Sequence, residues 1–145
     1  MAWGKLGRKK LPEGRWRLPI KCPRSLSGKD VQLAWHGTRF SCLYSALWDE
    51  ELLESTTPGH MKETLAGVYC HGPRTRHKAM NYVIFQDVFS TGTWWGVKLE
   101  LLVDRARGKT AGDQRVQPAD SISLQAAWLC GLRHEEMQDG YSWFV

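Results

Sequence analysis

No stretch of this 145-residue chain approaches the roughly 20 consecutive apolar residues that a membrane-spanning helix requires. The basic N-terminus is not followed by the apolar core of a secretory signal. Cysteine is sparse: Cys22, Cys42, Cys70 and Cys130 form no CxxC pair and no framework spacing, which argues against a zinc knuckle and a disulfide-stapled secreted module. Cys70-His71 with His77 is the nearest approach to a ligand cluster, and no second close pair completes four ligands, so no metal is expected. No internal repeat is visible. Together these absences lead to the expectation of an intracellular protein, cytoplasmic or nuclear, with reduced thiols.

Acidic residues are also scarce, but only in one place. Residues 1–29 carry nine Lys/Arg and a single acid, Glu13, whereas residues 30–145 carry eleven Lys/Arg and fourteen acids. The overall net charge of +5 therefore belongs to the N-terminal segment. A patch of that sign attracts nucleic acid, anionic membrane or acidic protein by forces that salt weakens, or it is simply a solvated leader. With Trp3 and Trp16 available to stack on bases, residues 5–29 are candidates for nucleic-acid contact. The division expected is a basic, Gly/Pro-rich extension over 1–30 and one domain over 31–145, with 42% apolar residues to build its core.

Gly4, Gly7, Pro12, Gly14, Pro19, Pro23 and Gly28 rule out a long helix in the extension. Trp16, Leu18 and Ile20 alternate with Arg15, Arg17 and Pro19 as in a short edge strand. Val31, Leu33 and Trp35 alternate with Gln32, Ala34 and His36, predicting a strand that Gly37 breaks. Phe40, Leu43, Tyr44 and Leu47 fall at helical spacing, so a helix with those residues on its apolar side ends near 48–51. Residues 55–64 read as a loop, 65–70 as a short strand, and 75–85 as a helix with Ala79, Tyr82 and Val83 on one side. Trp95, Val97, Leu99 and Leu101 mark the clearest strand. A Gly- and charge-rich connector over 105–114 precedes two closing strands, around Val116 and from Ile122 to about Gly131. Trp94, Trp95, Trp128 and Trp143 read as core or sheet-covering residues. The class predicted is α+β, with mostly antiparallel sheets and two short helices in the N-terminal half.

Three short motifs carry candidate chemistry. In Trp35-His36-Gly37-Thr38 the glycine lets another molecule approach the backbone, His36 can donate or accept a hydrogen bond, and Thr38 adds a hydroxyl. Gly67-Val68-Tyr69 follows about thirty residues later, and His77-Lys78-Ala79-Met80-Asn81-Tyr82 shortly after. One His, one Gly and two Tyr in this order can form a slot for a flat polar ring.

The order and spacing of these motifs resemble the catalytic domain of the poly(ADP-ribose) polymerase-like ADP-ribosyltransferases. That family carries a strand ending in His-Gly-Ser/Thr, a helix and loop, Gly-x-Tyr-Phe-Ala, then Ser-Lys-Ser-Ala-Asn-Tyr. The resemblance spans about residues 31–130 and implies that family's split, mostly antiparallel sheets. It implies NAD as substrate, with Gly37 backbone groups holding the nicotinamide carboxamide, Tyr69 and Tyr82 stacking on the ring, and His36 bonding the adenosine-side ribose, beside Thr38. The family serine that also bonds the carboxamide is Ala79 here, a loss of about 0.5–1.5 kcal/mol. Cys70-His71-Gly72-Pro73 replaces the aromatic continuation after the tyrosine.

The family's third catalytic group, a Glu at the start of the first closing strand, is absent. Asp113 and Gln114 are the candidates; the first can accept a proton but reaches less far, and the second is not a base. Glu100 lies in a strand whose family counterpart is structural and is not a candidate. The implied activity is mono-ADP-ribosylation of a protein or nucleic-acid acceptor. The alternatives are a catalytically degenerate module binding NAD, ADP-ribose or RNA, and an RNA 2′-phosphotransferase drawing on Arg39, Arg74 and Arg76.

Overall fold

A computed structural model describes residues 15–49, 52 and 66–134. The loop expected at 55–64, the basic residues before Arg15, Trp3 and Trp143 lie outside the described residues. The chain is α+β, with two antiparallel sheets, one α-helix and 3-10 segments. The larger sheet contains β1 (Arg15–Pro19), β2 (Val31–Thr38), β4 (Thr93–Asp104) and β7 (Ile122–Arg133) in the order β1-β7-β4-β2. The smaller contains β3 (Val68–Cys70), β5 (Lys109–Ala111) and β6 (Gln114–Gln117) in the order β3-β6-β5. Helix α1 spans Ser41–Asp49.

Both faces of the larger sheet are covered, because side chains alternate along each strand. On one face Val97, Leu99, Leu101 and Val103 of β4 are fully buried and form a core with Leu43 and Ala46 of α1. On the other, Cys130 and Leu132 of β7 pack against Met80 and Val83. This second face is polar in the middle. Glu100 accepts from Arg17 Nη2 at 2.6 Å and Trp128 Nε1 at 3.1 Å. Lys98, nearly buried, sits over the Trp35 ring at 4.9 Å, and burial brings its pKa down to about 8. The alternation at 15–20 does form an edge strand, paired with Ala126–Cys130, so the sheet reaches back to Arg15.

Four local expectations differ from what is observed. Gly37 does not end β2; the strand runs to Thr38, with Gly37 opposite Lys98 and Thr38 opposite Val97. The glycine is needed instead for close packing, since the Ala79 carbonyl oxygen occupies the space a Cβ would take. Residues 73–82 form a 3-10 run kinked at Thr75, shaped by docking of Ala79, Met80 and Val83 against the sheet rather than by a helical ladder. Tyr44 and Tyr82 are not interior residues; they are 66% and 45% exposed. The connector over 105–114 contains β5, whose exposed Lys109-Thr110-Ala111 lacks an apolar alternation.

Candidate functional site

The site forms where the two sheets meet. Strands β2 and β3 share a single bridge, in which Trp35 and His71 exchange backbone hydrogen bonds, both at 2.8 Å. One step further along, the same register would bring Gly37 opposite Tyr69, but the ladder has ended. The Tyr69 carbonyl instead accepts from His36 Nδ1 at 2.6 Å. In an antiparallel ladder the outward-pointing groups alternate, so Gly37 N–H and C=O project from the same edge as those of Trp35, away from β4. Among the described residues neither is bonded to β3 or to the 3-10 segment.

A carbonyl can only accept, so the bond to Tyr69 places the His36 proton on Nδ1 and leaves Nε2 an acceptor. Burial lowers the His36 pKa, and the bond to the Tyr69 carbonyl offsets only part of that, so the ring is neutral near pH 7. On the same sheet face, a pocket of about 140 Å³ opens between β2 and α1, lined by His36, Thr38, Ser45, Asp49, Leu52 and Leu99.

Tyr69 and Tyr82, expected as two walls, are placed differently from each other. Tyr69 is half-buried on β3; Tyr82, at the end of the 3-10 run, is exposed and its ring meets that of His71 at 5.7 Å. His71 follows Tyr69 by two residues and so shares its strand face. It is 3% exposed, and its ring nitrogens have no hydrogen-bond partner among the described residues. Burial lowers its pKa; Asp113 acts in the opposite sense, while Lys78, His36 and His77 reinforce the lowering. In the sequence His71 stands out as a weak metal-ligand candidate and as part of the departure after Tyr69; its two-residue spacing from Tyr69 is what puts it on that strand face. Among the described residues no group of three or more His, Cys, Asp or Glu is arranged to hold a metal. Burial raises the Cys70 thiol to about 12, which makes it unreactive.

The two candidates for the third catalytic position occupy different environments. Gly112 and Asp113 form the two-residue turn between β5 and β6, with Gly112 at φ 59°. The exposed Asp113 carboxylate is ion-paired with Lys78, and Thr75 Oγ1 donates to its carbonyl at 3.2 Å. The hydrogen bond and charge of Lys78 hold the Asp113 carboxyl below its ordinary pKa. Gln114 begins β6, is 5% exposed, and its side-chain amide makes no hydrogen bond among the described residues. The β3–β6 register, extended by one residue, puts it opposite His71. Ala79 is fully buried and contributes its carbonyl, packed on Gly37, rather than a side-chain group. Arg39, Arg74 and Arg76 are all exposed.

Comparison of the chain with protein-family models, with curated proteins and with solved structures gives no match. Among the described residues no helix is long and apolar enough to cross a membrane.

Proposed function

We propose that the chain is an NAD-dependent ADP-ribosyltransferase that moves a single ADP-ribose to a protein or nucleic-acid acceptor and releases nicotinamide. The observation that carries this reading is the outward backbone edge of Gly37 beside a His36 ring pinned to the Tyr69 carbonyl. An N–H donor and a C=O acceptor side by side complement a primary carboxamide, which offers the matching acceptor and donor. Tyr69 and Tyr82 border this edge, and each stacking contact with a flat ring adds about 0.5–1.5 kcal/mol beyond burial. The free Nε2 of a neutral His36 accepts from a sugar hydroxyl. The neighbouring pocket of about 140 Å³ has room for a sugar-sized part of the dinucleotide, not all of it.

The chemistry required is cleavage of the bond between the ribose C1′ and the nicotinamide nitrogen. The bonding pair leaves with nicotinamide, and the sugar passes through an oxocarbenium-like state, as in glycoside cleavage. Holding the dinucleotide bent, with C1′ open to the acceptor, supplies acceleration through positioning. A single transfer, not chain growth, suits a site in which the candidate carboxylate Asp113 is engaged by Lys78 and Gln114 is not a base. The basic residues within 5–29 would guide a nucleic-acid acceptor. Incubation with labelled NAD tests the reading: label transfer and nicotinamide release are expected from the native chain and lost in His36→Ala and Tyr69→Ala. Release at full rate in both variants would reject the site.

The engagement of Asp113 by Lys78 also favours a second reading, a module that binds NAD or ADP-ribose without turnover. Calorimetric binding of NAD with no nicotinamide released over hours distinguishes it.

A further inference from the structure

We infer that His71 is the base of the transfer step, taking the proton from the acceptor hydroxyl as it attacks the ribose C1′. This rests on the ADP-ribosyltransferase reading above and names the group that reading lacks. Position is the first argument. His71 lies on the same strand face as Tyr69, its ring against Tyr82, and the extended register sets it opposite Gln114 at the start of β6. It therefore borders the proposed ring slot on the side where the two carboxamide and carboxylate candidates, Gln114 and Asp113, also stand.

Packing is the second. His71 is 3% exposed, and its ring lies against that of Tyr82 at 5.7 Å. Its backbone is held by both hydrogen bonds to Trp35, so the sheet sets the place of the ring.

Charge is the third. The titratable groups whose charge acts on the ring are His36 from β2, His77 and Lys78 from the 3-10 segment, and Asp113 from the β5–β6 turn. Burial and the three basic groups keep the imidazole neutral at pH 7, the state a base needs, and Asp113 stabilises the imidazolium once the proton arrives. The step balances: the C1′–nicotinamide bond breaks with its electron pair on nicotinamide. The acceptor oxygen forms the new bond to C1′, and its proton passes to His71 and then to water.

Methanol is a suitable probe acceptor, because its attack on NAD gives methyl ADP-ribose without knowledge of the natural partner. In the full chain, His71→Gln is expected to lower the rate of methyl ADP-ribose formation about 100-fold or more, the usual contribution of a general base. The Kd for NAD should change by less than about threefold, and the acid limb of the native pH–rate profile should disappear. Free imidazole should restore part of the rate to His71→Gly. An unchanged rate and acid limb in His71→Gln, with the native chain active, overturns the role of His71 alone. A native chain that neither binds NAD nor releases nicotinamide overturns the parent reading and this one together. The native chain also provides an arm independent of variant folding: the imidazole nitrogen shifts of His71 should titrate at the midpoint of the acid limb. A limb that follows a different group overturns the proposal.

Discussion

His36 Nδ1 and the backbone carbonyl of Tyr69, 33 residues apart in sequence, are joined by a 2.6 Å hydrogen bond at the point where the two sheets part. The bond fixes the tautomer of a catalytic candidate and occupies a carbonyl that the ladder no longer serves. His36→Ala removes a half-buried donor and leaves that carbonyl without its partner. Loss of about 1–3 kcal/mol of stability is expected in urea denaturation, together with loss of NAD-dependent nicotinamide release.

Acid should weaken the fold in a defined window. His36 and His71 both have folded pKa values lowered by burial, whereas in the unfolded chain each titrates near the ordinary histidine value of about 6.5. Below about 6.5 the unfolded state binds more protons, so stability falls as pH drops towards the folded pKa values and is fully present above that window. Denaturation midpoints at pH 7.5, 6 and 5 check this. The decline should be shallower in His71→Gln, which keeps a polar side chain but cannot titrate.

Gly37→Ala separates the packing role of this glycine from any turn role. The added methyl meets the Ala79 carbonyl, which belongs to a segment clamped on the sheet through Ala79, Met80 and Val83. A loss of about 1–3 kcal/mol is expected from overpacking, read as a lower urea midpoint with an unchanged m-value. Displacement of the 3-10 run should also abolish nicotinamide release.

Glu100→Ala tests the polar middle of the sheet face that carries the 3-10 segment. The carboxylate, 13% exposed, accepts from Arg17 and Trp128, and its removal leaves the Trp128 indole N–H without an acceptor. Thermal melting should report a loss of about 1–3 kcal/mol.

Strong alternation made most of the larger sheet legible. Val97, Leu99 and Leu101 on β4, and Trp16 and Leu18 on β1, each repeat with period two and each fall in a strand. Where the pattern is set by tertiary contact instead, the sequence misleads. Gly37 reads as a breaker, although its role is visible only once Ala79 lies against it. Tyr44 shares the helical spacing of Leu43 and Leu47 yet is 66% exposed, stacked on Trp48. β5 is exposed and carries no hydrophobic signal; its strand character comes from pairing with β6 across a Gly112-Asp113 turn. Motif order singles out His36, Gly37 and Tyr69 as candidates, and the hydrogen bond from His36 to the Tyr69 carbonyl brings two of them together. The burial of His71, and the hold of Lys78 on Asp113, depend on a register between strands that no local pattern records.

The single bridge between β2 and β3 leaves their ladder one rung long. Among the described residues the Gly37 N–H and C=O are not bonded to β3, and a carboxamide has the donor and acceptor to supply the next rung. A bound amide would therefore act as a piece of secondary structure, extending the ladder that the chain leaves unfinished. Occupancy and stiffness of the joint then become one equilibrium, in which whatever binds at Gly37 also fastens the two sheets together.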